Sequence, residues 1–146
     1  MAELFEILGK GVMRLSTPAT QEITDSAFTI LEFDTTIIER GGVVCDPVTN
    51  SITVPSTGLY TVNQGVDANF PGRELLAIMT FVNGVEYDPN YLYIQGRANQ
   101  KPVSISWQSI VTLNAGDVID MRGMNGEAGS FDLNLHRMYL AIIKEH

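Results

Sequence analysis

The strictest constraint on this chain is a period of two. From Tyr60 onward, Tyr60, Val62, Gln64, Val66, Ala68 and Phe70 alternate with Thr61, Asn63, Gly65, Asp67 and Asn69. Successive side chains of an extended strand point to opposite faces, so this segment has one mainly apolar face and one polar face. A helix would need apolar residues three and four apart. The same alternation starts at Val103, where Val103, Ile105, Trp107, Val111 and Leu113 oppose Ser104, Ser106, Gln108 and Thr112, and Ser109 and Ile110 break the phase. A core built on such segments is a core of strands.

Turn formers punctuate the strands. Asp46-Pro47-Val48-Thr49-Asn50 precedes Ile52-Thr53-Val54, and Ser56-Thr57-Gly58 precedes the strand at Leu59. Asn83-Gly84, between Ile78–Val82 and Val85-Glu86-Tyr87, predicts a two-residue hairpin, because both central residues of a type I′ turn need positive φ. Asn114-Ala115-Gly116-Asp117 separates Leu113 from Val118, and a glycine-rich loop, Gly123 to Gly129, precedes the last strand. Short strands spaced in this way predict an all-β antiparallel sandwich or barrel.

Two segments are apolar on both faces. Leu75 to Val82 is one. In the last strand, Phe131, Leu133, Leu135, Tyr139, Ala141 and Ile143 lie on one side by alternation, and Met138, Leu140 and Ile142 on the other. An antiparallel sheet with one face on the core leaves its other face wet. A doubly apolar strand therefore predicts a cover, and the economical cover is a second copy of the chain. On this reading Leu76, Ile78, Val82, Met138, Leu140 and Ile142 form the contact between copies.

The amino-terminal residues differ from the rest. Leu4, Phe5, Leu8, Val12 and Leu15 follow a helical stripe that Gly9 and Gly11 weaken and Pro18 interrupts. They are read as an arm over residues 1–22 leading into a sandwich over 23–146. The arm is either a tail, an added first strand, or a segment that docks on a larger assembly.

The chemistry of catalysis does not assemble. The two histidines, His136 and His146, make no H-x-H pair, so the ligand set of a metal-binding jelly-roll enzyme is missing and neither a metal nor a cofactor is expected. Cys45 is the one cysteine, which excludes an intrachain disulfide and reads as a small apolar filler. The glycines of 123–129 are followed by no Lys-Ser or Lys-Thr, and Gly-x-Ser-x-Gly does not occur. Asp46-Pro47 and Asp88-Pro89-Asn90 are turn formers first, although loop carboxylates of this kind also suit calcium. Tyr91 and Tyr93, with Leu92 between them, are the one local cluster suited to ligand contact. Trp107 alternates with core residues.

Nine basic against seventeen acidic residues give a net charge of −8, with the basic residues scattered. That opposes a broad phosphate-binding surface for nucleic acid. No segment approaches the ~20 apolar residues that cross a bilayer. The start of the chain lacks the basic-then-apolar pattern of a secretory signal, so a cytoplasmic origin is the expectation.

The ordered motifs resemble one family: the globular head of complement component one-q, within the tumour necrosis factor-like jelly-roll superfamily. The resemblance runs from Phe33-Asp34-Thr35 through Val43–Asn50 to Ile52–Val62, where Pro55, Gly58 and Tyr60 match a Pro-x-x-Gly-x-Tyr stretch. It continues in Val82-Asn83-Gly84, in Leu113–Ile119 with its Leu-x-x-Gly-Asp segment, and in the strand from Phe131 and Leu133 to Ile143. The resemblance covers residues 28–143. It implies a ten-stranded jelly roll, a homotrimer with the two-sided apolar strands at its threefold contact, and function by binding rather than catalysis.

A Gly-X-Y stalk ahead of the domain is not expected. A small, unsecreted, trimeric jelly roll with a short apolar arm looks like a bacteriophage virion protein. The leading expectation is a capsid decoration (cement) protein on the outer surface of the virion, with the major capsid protein or another virion protein as partner and residues 1–21 as the docking arm. The rivals are a fibre tip that recognises a host glycan or protein through loops 87–97 and 123–130, and a cupin-like enzyme.

Overall fold

The computed structural model describes residues 8–87 and 92–145. The alternating segments are strands: β1 (Lys10–Leu15), β2 (Ala19–Thr24), β3 (Thr29–Ile30), β4 (Thr35–Arg40), β5 (Val44–Asp46), β6 (Ser51–Thr53), β7 (Gly58–Asn69), β8 (Leu75–Val82), β9 (Val85–Glu86), β10 (Leu92–Gln95), β11 (Val103–Leu113), β12 (Val118–Asn125) and β13 (Ser130–Lys144). They form two antiparallel sheets. One is six-stranded, in the order β11-β7-β13-β1-β4, with β2 also on β13. The other is seven-stranded, in the order β10-β8-β12-β6-β5, with β3 on β12 and β9 on β8. Neighbours in each sheet are mostly distant in sequence, as in a jelly roll. The described residues form thirteen strand segments where the family resemblance implied ten.

The core lies between the sheets. Tyr60, Val62, Ala68 and Phe70 of the β7 segment are fully buried there, as their alternation requires. Phe70 stacks on Phe131 with ring centroids 5.1 Å apart, and the Tyr60 hydroxyl donates to the Ser56 carbonyl at 2.7 Å. Gln64 shares this face and is fully buried. Its Oε1 accepts from Thr80 Oγ1 at 2.9 Å, one polar link between the sheets, while its Nε2 has no partner. Such a group costs stability and survives where the surrounding packing is strong enough to bear it.

The turns follow their chemistry. Asn83 and Gly84 have φ of 53° and 77°, and they place Val82 opposite Val85 and Phe81 opposite Glu86, the type I′ hairpin expected. At the other marked turn, the Asp117 amide donates to the Asn114 carbonyl at 3.0 Å, and Asp117 Oδ2 accepts from the Asn114 amide at 2.8 Å.

Three expectations change. The first concerns β13. Its register against β7 shifts between Leu135 and Arg137. This bulge inserts one residue and reverses the phase of everything after it. Phe131, Leu133 and Leu135 before the bulge, and Met138, Leu140 and Ile142 after it, therefore all face the core; Met138 is 1% exposed, and Leu140 and Ile142 are 0% exposed. These three are core residues, not a contact between copies.

The second concerns β8. Leu76 and Ile78 also face the core, at 0% and 1% exposed, and Val82 packs half-buried against it. The outer side, Ala77, Met79 and Phe81, is buried within the same protomer. Phe28 meets the Phe81 ring edge-on at 5.0 Å, and the Arg122 guanidinium lies 4.4 Å above it. The chain supplies its own cover.

The third concerns the arm. Lys10–Leu15 is a strand paired on both sides, with β13 and with β4. Leu15 is 4% exposed in the core and so is not free to dock elsewhere, while Val12 is half-buried on the outer side of the sheet. Residues 19–24 pair with β13 as β2, and the expected boundary after residue 22 falls inside that strand. Leu8 is exposed; Leu4 and Phe5 lie outside the described residues.

Candidate functional site

With β13 bulged and β1 inserted, the outer face of the six-stranded sheet can be read in rows from the strand registers. Arg40, Lys10, Ile143, Thr61 and Ile110 form one row. Ile38, Val12, Ala141, Asn63 and Gln108 form the next. Then come Thr35, Arg14, Tyr139, Gly65 and Ser106, and finally Arg137, Asp67 and Ser104. The first three rows carry an apolar strip of Ile110, Ile143, Ala141, Val12, Ile38 and Tyr139. Ile110 is 64% exposed and Tyr139 37%. No second layer of the described chain covers this face.

Gly65 shapes its centre. A Cβ there would come within 2.2 Å of Tyr139 Cε1, so the phenol ring lies on the bare backbone of β7. Beside it is a shallow groove of about 390 Å³ lined by Gly65, Asp67, Ser104, Ser106, Arg137 and Tyr139. A second pocket of about 350 Å³ opens where the β1–β2 turn meets the bulge, lined by Arg14, Leu15, Ser16, Pro18, His136 and Arg137. The four rows hold four of the nine basic residues and, in Asp67, one of the seventeen acidic ones. These four rows are locally cationic on an acidic chain, and beyond the bulge the same face carries the acidic pair Asp132 and Glu22.

The β1–β2 turn is pinned by Asp34. Its carboxylate accepts from the Ser16 amide at 2.7 Å, the Thr17 amide at 2.9 Å and the Thr35 hydroxyl at 2.7 Å. The Ser16 amide bond, helped by the Thr35 and Thr17 bonds and opposed by desolvation, holds Asp34 below the usual carboxylate range. A carboxylate so depressed stabilises the fold above its unfolded pKa of about 3.9 and loses that contribution as the pH falls through its folded value. Asp34→Ala is expected to destabilise by no more than about 1 kcal/mol at neutral pH, since the group is exposed and screened. The deficit against wild type in thermal melts should shrink to nothing in acid.

The other expected residues do not converge. Tyr93 is 51% exposed on β10 and Tyr87 is 42% exposed; Tyr91 lies outside the described residues. Trp107 packs half-buried against the core. Among the described residues no three His, Cys, Asp or Glu side chains gather as a metal would need. Cys45 is buried in the core; desolvation, then the Glu39 carboxylate, push its thiol up to about 11. Native protein should therefore react with iodoacetamide at least about tenfold more slowly than unfolded protein, measured by intact mass. The apolar strip could not be found from alternation alone, because the bulge exchanges the two sides of β13. Ile110, out of phase in its strand, was the one local signal of it.

No family model and no curated protein matches the sequence. Solved structures do match the fold. Eiger TNF from S. frugiperda aligns with a TM-score of 0.68 and 13% identity over 95% of this chain and 93% of that one. Murine APRIL aligns at 0.66 and 14%, over 94% of this chain and 99% of that one. The globular domain of zebrafish complement 1qA protein aligns at 0.65 and 12%, over 96% and 98%. Two antiparallel sheets in this strand order, matched nearly end to end by all three, give the chain the jelly-roll sandwich fold shared by tumour necrosis factor-like and complement-head domains.

Proposed function

We infer that the chain is a self-assembling structural protein, a homotrimer whose copies meet on the outer face of the six-stranded sheet. The observation that carries this reading is the apolar strip of Ile110, Tyr139, Ala141, Ile143, Val12 and Ile38, over which the described residues lay no second layer and in which Ile110 and Tyr139 are exposed. The β11 edge is a second, different surface short of cover: among the described residues it pairs only with β7, and Val103, Ile105 and Trp107 are half-buried. Two unlike patches on one protomer suit a head-to-tail contact, which closes into a ring when the rotation permits. The basic rows of the face complement the acidic remainder of the chain in the same sense. The threefold count comes from the family resemblance.

The finer reading is that this trimer decorates the outer surface of a phage capsid, bound to the major capsid protein. With Leu15 in the core and Val12 on the face where copies meet, docking would fall to residues before Lys10. Sedimentation velocity at micromolar concentration tests the assembly, and a single monomeric species would end it. Co-sedimentation with phage particles, full-length against a chain lacking residues 1–8, tests the decoration role. Equal binding by the two would remove the docking segment, and no binding by either would remove the role. Exposed Tyr87 and Tyr93 favour one alternative, a host-binding fibre tip, which would show as glycan binding lost in Tyr93→Ala.

A further inference from the structure

We propose that the chain binds a tetrahedral oxyanion, a phosphate or sulfate group, in the pocket between the β1–β2 turn and the β13 bulge. Arg14 on β1 is in register with Tyr139, and Arg137 stands two residues back along β13. The two are diagonal neighbours on one face, a separation of roughly 7–8 Å that long side chains bridge. Both line the same pocket of about 350 Å³, with His136 and Ser16. Both side chains are exposed, and neither has an ion-pair or hydrogen-bond partner among the described residues. By contrast, Arg122 chelates Asp120 at 2.7 and 3.0 Å, and Lys144 donates to Ser56 Oγ at 2.9 Å.

The nearby carboxylates do not fill the role. Asp34 spends its oxygens on the Ser16 and Thr17 amides and the Thr35 hydroxyl, and Asp67 makes no ion pair with Arg137 although it is opposite it in register. Two unneutralised guanidiniums held side by side repel, and an anion between them removes that cost.

The shape of the donors selects the ligand. Ser16 Oγ is committed to Thr35 Oγ1 at 2.9 Å. His136 Nε2 is held by Asn69 Oδ1, and Asn69 is itself oriented by donating to Gln100 Oε1. Recognition therefore falls to two guanidinium forks from adjacent strands. One fork satisfies a carboxylate, whereas two forks approaching from different directions suit the four oxygens of phosphate or sulfate. The bulge is what creates the pocket: it lifts His136 out of the ladder and turns Arg137 to the outer face beside Arg14. Every lining residue comes from one protomer, so a single copy supplies the whole site.

The test is titration calorimetry and thermal melting of the whole chain with sodium phosphate, sodium sulfate and a sulfated disaccharide, at ionic strength matched with sodium chloride. Phosphate or sulfate should bind and raise the melting temperature beyond the chloride control. Arg14→Gln and Arg137→Gln should each weaken binding about tenfold or more, with unchanged circular dichroism. Arg73→Gln, an exposed arginine outside the pocket, should bind as wild type does. A stronger response to the disaccharide than to either ion would identify the source as a sulfated sugar, and the reverse as the free ion. Three results would overturn the proposal: an effect reproduced by chloride, equal binding by the two pocket variants, or an equal loss in Arg73→Gln. None of these bears on the self-association reading, which sedimentation measures separately.

Discussion

Leu140→Asp should leave no folded protein, because the residue is fully buried in the protomer's own core. It lies on β13 opposite Gln64 of β7, between the sheets. Losing the side chain costs about 2–5 kcal/mol, and an unpaired carboxylate in that place costs several more. Domains of this kind are stable by about 5–15 kcal/mol, so the sum consumes most or all of the margin. Far-UV circular dichroism and proton NMR of the purified variant should show an unfolded or insoluble chain. A soluble, well-dispersed monomer would mean instead that Leu140 faces outward and that the bulge in β13 has been misplaced.

Ile110→Asp should do the opposite: keep the fold and lose the assembly. Ile110 is 64% exposed near the β11 edge, where a substitution touches no core contact and shifts stability by about 0.5 kcal/mol or less. In a contact between copies the same aspartate would be buried against apolar neighbours. A loss of about 3 kcal/mol per contact, roughly 100-fold in affinity, is the expected scale. On the proposed assembly, sedimentation velocity should show a monomer where the wild type sediments as a trimer, and the melting temperature should no longer depend on concentration. If the variant sediments as wild type does, this end of the face is not the contact. The two variants together separate residues that hold one protomer from residues that join several, a distinction that apolar character in the sequence does not make.

The alternating segments were legible because strand geometry is local. Tyr60 to Phe70 and Val103 to Leu113 each carry enough repeats for the phase to be unambiguous, and the structure places both as read, with Ile110 outward. Asn83-Gly84 was legible because only a few residue types tolerate the positive φ of a tight hairpin. Lys10–Leu15 was not. Gly9 and Gly11 look like helix weakeners in isolation, yet a Cβ on Gly11 would meet Val43 Cγ1 at 2.7 Å and Cys45 Sγ at 2.8 Å. These glycines serve close packing against residues some thirty positions away, which no local pattern announces.

Extended backbone, turn positions and the apolar alternation of the long strands follow from steric preferences of neighbouring residues, and they can be read along the chain. Which side of β13 faces inward after Leu135, what covers β8, and the meeting of Arg14 with Arg137 depend on contacts between residues far apart in the chain, Arg137 with Asp67, Phe28 with Phe81 and Arg14 with Tyr139. The extra residue in β13 has no signature of its own, since its identity as a bulge exists only against the register of β7. That single insertion moves Met138, Leu140 and Ile142 into the core, sends Tyr139 and Ala141 to the open face, and brings two arginines to one pocket.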